Sequence, residues 1–200
     1  MALSRSTTLV DYLVPSPSSR SLNILKDAAL VVGFSLLVAL SAQIAFPIPW
    51  SPVPVTLQTL AVLLTGAVLG SRRGALALLA YLAEGALIPH FFSGGTLVGF
   101  DAGYLWAFPI AAFVTGLLCE RHLERRLLTS ALAMIPGTLI IYAIGVSWLS
   151  YFFHWDLLKG FTAGMLPFIP GDIVKLLIAT ALLPMAWALV KSFHPAMKRS

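Results

Sequence analysis

An acidic and a basic side chain stand three residues apart at the start of an otherwise apolar segment. Asp172 and Lys175 follow a Pro-Gly pair in the sequence PFIPGDIVKLLIATALL. Because a helix N-terminus favours a carboxylate, we expect Asp172 at or near the position that caps a helix. The spacing then places Lys175 on the same face, one turn further along. Such a pair in a membrane-length apolar segment predicts either a binding site for a polar group or a packed salt bridge.

Polar side chains also open a second apolar segment, PVPVTLQTLAVLLTGAVLG. Thr56, Gln58 and Thr59 would lie at one end of a helix, where the Gln58 amide can both donate and accept hydrogen bonds. Polar residues of this kind also hold membrane helices together, and the sequence leaves both interpretations open. Glu84, in YLAEGALIPHFF, would either face the same cavity as Lys175 or stand in water at a helix end.

The sequence contains no recognisable motif for metal binding or nucleotide hydrolysis. His90 and His154 could approach Glu84 and Asp172, but no H-E-x-x-H or similar spacing is present. We therefore predict no metal site and no cofactor. The sequence also lacks a G-x-x-x-x-G-K-[ST] loop and a G-x-S-x-G motif, so we expect neither ATP hydrolysis by this chain nor an enzyme of those classes.

The composition is that of an integral membrane protein. Of the 200 residues, 58% are hydrophobic and only 10% are charged, and the mean hydropathy is +0.90. Long apolar runs in lipid must be helical, because lipid cannot satisfy open backbone polar groups. We expect an all-α membrane protein. The net charge of +5 comes largely from short loops and tails, which indicates membrane topology rather than a nucleic-acid partner.

Six membrane spans are predicted by their apolar length, each compared with the roughly 20 residues that a bilayer requires. They are Ile24–Phe46, Val55–Leu69, Gly74–Ile88, Ala102–Cys119, Leu127–Phe152 and Asp172–Val190. The segment GFTAGMLPFIPG before the last span is expected to be a partly inserted loop or a short helix. Residues 24–191 would thus form one transmembrane domain, preceded by a flexible tail, 1–23, and followed by a basic tail, 192–200.

The cations of the loops and tails predict the orientation of the chain. Those assigned to one side are Arg5, Arg20, Lys26, Arg72, Arg73, Arg121, Arg125, Arg126, Lys191, Lys198 and Arg199. The other side has only Lys159 among its loop cations. By the positive-inside rule, both termini are predicted to be cytoplasmic, which agrees with an even number of spans.

Four segments resemble one known family in the same order along the chain. They are PVPVTLQTLAVLLTGAVLG, RRGALALLAYLAEGALIPHFFSGG, GYLWAFPIAAFVTGLL and PFIPGDIVKLLIATAL. From about Ala39 to Leu183 the chain resembles BioY, the biotin-specific S component of energy-coupling factor transporters. The resemblance implies the six-helix S-component fold, an outward-facing vitamin pocket and a location in the bacterial cytoplasmic membrane. It also implies partners, namely a transmembrane coupling protein and two ATPase subunits.

The resemblance assigns Asp172 and Lys175 to the biotin site. A carboxylate can accept hydrogen bonds from the ureido N–H groups of biotin, and an ammonium can donate to its carbonyl oxygen. In the alternative pose, Lys175 pairs with the valerate carboxylate. The further candidate ligand-binding residues are Thr56, Gln58 and Glu84, together with the aromatic residues Trp50, Phe91, Phe92 and Tyr104 for the apolar parts of the vitamin.

Small residues in the first span suggest a surface for docking to the coupling protein. Ser35 and Ala39 form a small-xxx-small step, which permits close approach of another helix. The same step could also pack within the chain. Three other functions stay open at this point: an S component for thiamin or riboflavin, an intramembrane enzyme that uses Glu84, Asp172 and Lys175, and a structural subunit with a packed salt bridge.

Overall fold

The computed structural model of this chain describes residues 8–14 and 19–193. Within them the architecture is mostly helical, as predicted. The helices are α1 (Leu9–Leu13), α2 (Arg20–Ala42), α3 (Gln58–Leu69), α4 (Ser71–Leu87), α5 (Ala102–Cys119), α6 (Leu127–Phe152), α7 (Leu157–Gly164) and α8 (Ile169–Phe193). A 3-10 helix, Leu123–Arg125, lies between α5 and α6, and two short strands, β1 (Ala45–Phe46) and β2 (Val55–Thr56), pair antiparallel between α2 and α3.

Four helices of the described chain are long and apolar enough to cross a membrane. They are α2, α5, α6 and the part of α8 that ends at Val190. The bounds of α5 and α6 are those predicted from the sequence. The segment GFTAGMLPFIPG before the last span overlaps the end of the short helix α7 and the start of α8. The two remaining predicted spans correspond to shorter helices, because α3 has 12 residues and α4 has 17.

A single glycine separates α3 from α4. Gly70 has φ 84° and ψ 178°, a backbone conformation that residues with a Cβ rarely adopt. The Glu120 carboxylate accepts hydrogen bonds from the Ser71 amide (2.7 Å) and hydroxyl (2.8 Å), which stabilises the first turn of α4. The second and third predicted spans are therefore two short helices that meet at one turn, and the second begins at Gln58 because Val55 and Thr56 belong to β2.

The last helix begins earlier than predicted. α8 starts at Ile169, so Asp172 lies in its first turn instead of capping it, and its amide donates to the Phe168 carbonyl at 2.8 Å. Pro170 is tolerated there, because amides in a first helical turn have no partner within the helix. The carboxylate is still near the helix N-terminus, where the orphan amides and the helix dipole favour a negative charge.

α5 lies at the centre of the bundle and packs against α3, α4 and α6. The buried share of its span is 67%, compared with 17% for the span of α2. Close packing depends on glycine: a Cβ added at Gly66 of α3 would collide with the backbone carbonyl of Ala112 in α5. α2 is thus a peripheral helix with one side exposed on the surface of the bundle.

The described part of the predicted tail is largely helical. Leu9 and Val10 of α1 are buried, and Leu9 packs in a cluster with Trp187 and Val190 of α8. The helix α2 already begins at Arg20. The composition of this short segment could not show that it is ordered. Its apolar side chains pack against α8, which is distant in sequence. The rest of the tail lies outside the described residues, as does the predicted C-terminal tail beyond residue 193.

Ion pairs hold α1 against the start of α4. Arg73 donates to Asp11 at 2.8 Å and to Asp27 of α2 at 3.0 Å. Burial raises the pKa of the Asp11 carboxyl, but hydrogen bonds from Arg73 and Thr8 and the Arg73 charge outweigh it, so this pKa lies below its ordinary value. The folded state therefore favours the ionised carboxylate.

Asp11→Asn should lower the free energy of unfolding by about 1 kcal/mol at neutral pH, because Arg73 loses a charged acceptor. A carboxyl whose pKa is depressed by folding stabilises the protein above its unfolded pKa, and this contribution disappears as the pH falls through the folded pKa. Thermal unfolding in detergent across a pH series should show the difference shrink below about pH 4. Replacement of the exposed Arg72 by Gln is the control. A difference that persists unchanged at low pH would contradict the prediction.

Candidate functional site

A small cavity of about 50 Å³ lies where α3, α5, α6 and α8 approach the segment before α3. Most of its polar lining comes from residues that the sequence singled out. The lining residues are Val53, Pro54, Thr56, Gln58, Thr59, Tyr104, Ile141, Tyr142, Phe168, Asp172 and Lys175. Five predicted site residues, Thr56, Gln58, Tyr104, Asp172 and Lys175, are thus brought together from β2 and the three helices α3, α5 and α8.

The ion pair is formed inside this cavity. The Lys175 ammonium donates to Asp172 Oδ1 at 2.6 Å and to the Thr59 hydroxyl at 3.0 Å, and the Thr59 hydroxyl donates in turn to Asp172 Oδ1 at 3.3 Å. The Tyr142 hydroxyl donates to the other oxygen, Asp172 Oδ2. Lys175 is only 7% exposed, so its charge is neutralised by direct contact rather than by water.

Gln58 is held in place by two neighbours. Its side-chain amide donates to the Tyr81 hydroxyl at 2.6 Å, and its amide oxygen accepts from Thr56 at 2.9 Å. The Thr56 hydroxyl also accepts from the Gln58 backbone amide at 3.2 Å, which satisfies a donor in the first turn of α3. Gln58 is therefore a buried, hydrogen-bonded wall of the cavity, and it also joins α3 to α4.

Tyr104 connects the cavity to α7. Its hydroxyl donates to the Gly164 carbonyl at 2.7 Å, and its ring lies against Gly145 of α6, where a Cβ would collide with it. The position of α7 therefore depends on a side chain that lines the cavity.

The predicted aromatic wall is only partly present. Trp50 is 68% exposed in the loop between β1 and β2 and does not line the cavity. Phe91 and Phe92 pack around Tyr81, with ring centroids 5.4 Å and 5.1 Å from its own. They support Tyr81, which contacts Gln58, instead of lining the cavity themselves.

Glu84 and the two small residues of α2 lie elsewhere, between α2 and α4. The Ser35 hydroxyl donates to Glu84 Oε1 at 3.0 Å, while Glu84 Oε2 is buried without a partner among the described residues. Ser35 is 0% exposed and Ala39 is 7% exposed. The expectation that Ser35 and Ala39 form a docking surface is therefore corrected, because both side chains are covered by the same chain.

Tyr142 and Phe168 were not recognised from the sequence, and Thr59 was noticed but not assigned to the site. Tyr142 lies in the middle of an apolar span, GTLIIYAIG, where a lone hydroxyl needs a hydrogen-bond partner. That requirement is the signal that could have indicated it. Phe168 has no such signal, because one more aromatic residue in an apolar segment carries no information about its neighbours.

A second cavity adjoins Asp172. It measures about 150 Å³, lies between α6 and α8 and has an almost wholly apolar lining that includes Leu139, Ile169 and Ile173. Tyr142 and Asp172 line both cavities. Among the described residues, no group of three or more His, Cys, Asp or Glu side chains could hold a metal ion.

An apolar helical bundle of this kind is that of a multi-pass membrane protein, and an ion pair inside it indicates a functional site. A solved structure has the same fold: the crystal structure of the S-component for biotin from an ECF-type ABC transporter superposes with a TM-score of 0.74 at 21% identity, covering 84% of this chain and 94% of that one. The chain thus has the S-component fold.

The chain belongs to the BioY family, whose model matches residues 12–192. It is 45% identical over 155 residues to the probable biotin transporter BioY of Pyrococcus horikoshii, covering 75% of this chain and 89% of that protein. It is 39% identical over 151 residues to the biotin transporter BioY of Thermotoga maritima, covering 73% of this chain and 86% of that protein.

Proposed function

We propose that this chain is the biotin-binding membrane subunit of a vitamin uptake system. The observation that carries the proposal is the Asp172–Lys175 pair, held in a cavity within a chain of the BioY family. The chain is a transport component rather than an enzyme, and we propose that it works without a cofactor of its own.

The ureido group of biotin is the part that suits the ion pair. Lys175 is already neutralised by Asp172 at 2.6 Å, so a ligand carboxylate at this point would place two negative charges on one ammonium. A neutral ureido group avoids that cost, because one of its N–H groups can donate to Asp172 and its carbonyl can accept from Lys175. Between the two poses open from the sequence, the geometry favours the ureido pose.

The cavity must widen to receive a whole vitamin. Ligand pockets usually measure about 300–1,000 Å³, whereas this cavity measures about 50 Å³. Val53 and Pro54 form one wall before α3, and Phe168 forms another before α8. We propose that these two segments separate on the outer side to admit biotin, while Tyr104, Ile141 and Phe168 contact its apolar ring and chain.

We propose six membrane crossings, with α3 and α4 as two short ones, and both termini in the cytoplasm. The contacts of Arg73 with Asp11 and of Glu120 with Ser71 support this topology, because they bring α1, the α3–α4 turn and the end of α5 to one end of the bundle. That end carries Arg72, Arg121 and Arg126, which are exposed or partly exposed. By the positive-inside rule it faces the cytoplasm of a bacterial cell.

The function is tested by binding of labelled biotin to the purified protein, with unlabelled biotin, thiamin and riboflavin as competitors. Saturable one-to-one binding that only biotin displaces is expected, since the cavity offers one carboxylate and one ammonium to one polar head group. Displacement of labelled biotin by thiamin or riboflavin would instead indicate an S component for that vitamin. Turnover of the bound ligand would instead indicate an enzyme, and the absence of any binding by folded protein would leave a structural salt bridge.

We further propose that energy comes from a transmembrane coupling protein with two ATPase subunits, which docks on the exposed side of α2. Gly33 lies on that side, and a Cβ added there would meet nothing within 4 Å. Gly33→Leu should therefore leave biotin binding intact but abolish ATP-coupled uptake, because the added bulk obstructs a close helix contact. Ala143→Leu, on the exposed side of α6, is the matched control. Unchanged uptake by Gly33→Leu would rule out this docking surface.

A further inference from the structure

Tyr142 separates the two cavities at the ion pair. Its side chain is 8% exposed and packs in one cluster with Val53, Leu149 and Phe168. This packing fixes the ring, so the position of its hydroxyl is set before any ligand arrives. The hydroxyl donates across from α6 to α8, to Asp172 Oδ2.

The acceptor positions of Asp172 can be counted. An ionised carboxylate offers about four lone-pair positions, two on each oxygen. Oδ1 receives the Lys175 ammonium at 2.6 Å and the Thr59 hydroxyl at 3.3 Å. Oδ2 receives the Tyr142 hydroxyl. One acceptor position is therefore left, on Oδ2. Its direction is set by the orientation of the carboxylate, which the hydrogen bond from Tyr142 fixes.

We propose that Tyr142 is a positioning residue for the ligand site, and that it orients the Asp172 carboxylate to accept a single N–H from the ligand. The inference rests on the proposed function, because it takes the ureido group as the ligand's polar head. Tyr142 acts through Asp172. The Tyr142 ring packs against neighbouring side chains, and its hydroxyl donates to Asp172. Its effect on ligand selection is therefore limited to which ligand N–H can donate to Asp172.

The test compares biotin with two analogues, each methylated on one ureido nitrogen, in binding to purified wild-type and Tyr142→Phe protein. Wild type should bind one analogue much more weakly than biotin, because methylation removes the N–H that Asp172 accepts. Tyr142→Phe should lower the affinity for biotin by roughly tenfold, the size of a hydrogen bond to a charged group. Its affinity for the discriminated analogue should change by less than about threefold.

Tyr104→Phe is the control, since it removes a hydroxyl from the same cavity that bonds Gly164 rather than Asp172. It should change the affinities for biotin and for both analogues by the same factor. If Tyr142→Phe behaves in that way too, or binds biotin like wild type, the positioning role is overturned. Equal binding of biotin and both analogues by wild type also overturns it. Tyr142→Met, which lacks the hydroxyl and adapts to the space, replaces Tyr142→Phe if the latter does not fold.

The outcomes separate this inference from the proposed function. Folded wild-type protein that fails to bind biotin overturns both. If wild type binds biotin, and Tyr142→Phe distinguishes biotin from the two analogues to the same extent as wild type does, only the role of Tyr142 is overturned.

Discussion

Lys175→Ala is expected to lower the affinity for biotin by a factor of a hundred or more. The substitution removes the donor to the ureido carbonyl. It leaves Asp172, which is largely buried, with the Thr59 and Tyr142 hydroxyls as its remaining side-chain donors among the described residues. Truncating one partner of a buried, hydrogen-bonded charge pair in a complex typically costs about 2–5 kcal/mol of binding free energy, and every 1.4 kcal/mol is tenfold in affinity. Equilibrium binding of labelled biotin measures the loss, and thermal unfolding of the same sample shows whether the variant is folded.

A double variant separates binding from folding. Asp172→Asn combined with Lys175→Met keeps the side-chain volumes but removes both charges. It should unfold at a temperature closer to that of wild type than Lys175→Ala does, because no unpaired charge is left in the bundle. Its biotin binding should nevertheless be lost, since the charged acceptor and donor are gone. Near wild-type affinity in the double variant would show that the pair is a structural salt bridge.

Gly66→Leu is expected to prevent the bundle from folding correctly. A Cβ at Gly66 collides with the carbonyl oxygen of Ala112 in α5 and lies 3.0 Å from the Ala112 Cα. Both obstacles are backbone atoms of a packed helix, which cannot move aside like the end of a flexible side chain. We expect a loss of roughly 3 kcal/mol or more, at or beyond the usual upper end for an overpacked core. The yield of monodisperse protein and the midpoint of thermal unfolding measure it.

The matched control is Gly33→Leu, the same change at a glycine of α2 with open space around it. Since leucine favours helix more than glycine does, this control should be at least as stable as wild type. Wild-type stability of Gly66→Leu would mean that α3 and α5 do not approach each other closely at this point.

The sequence by itself determined the class of protein and the chemistry of the site. Apolar length predicted α5 and α6 with their observed bounds, because a helix in lipid must satisfy its own backbone. The cost of an ion pair in an apolar segment identified Asp172 and Lys175, and the polar start of α3 identified Thr56 and Gln58. These conclusions depend on residue type and short spacing, and both can be read without knowing which helices are neighbours.

Only the tertiary structure decided which side of each helix is buried. A soluble helix shows its inner face by its apolar stripe, but a helix in lipid is apolar all around, because lipid tails resemble the protein interior. The sequence therefore could not show that Ser35 and Ala39 face α4, that Glu84 lies away from the cavity, or that Tyr142 reaches Asp172 from another helix. Such contacts arise from packing between helices that are distant in sequence, and the local pattern of residue types along the chain does not show which helices are neighbours.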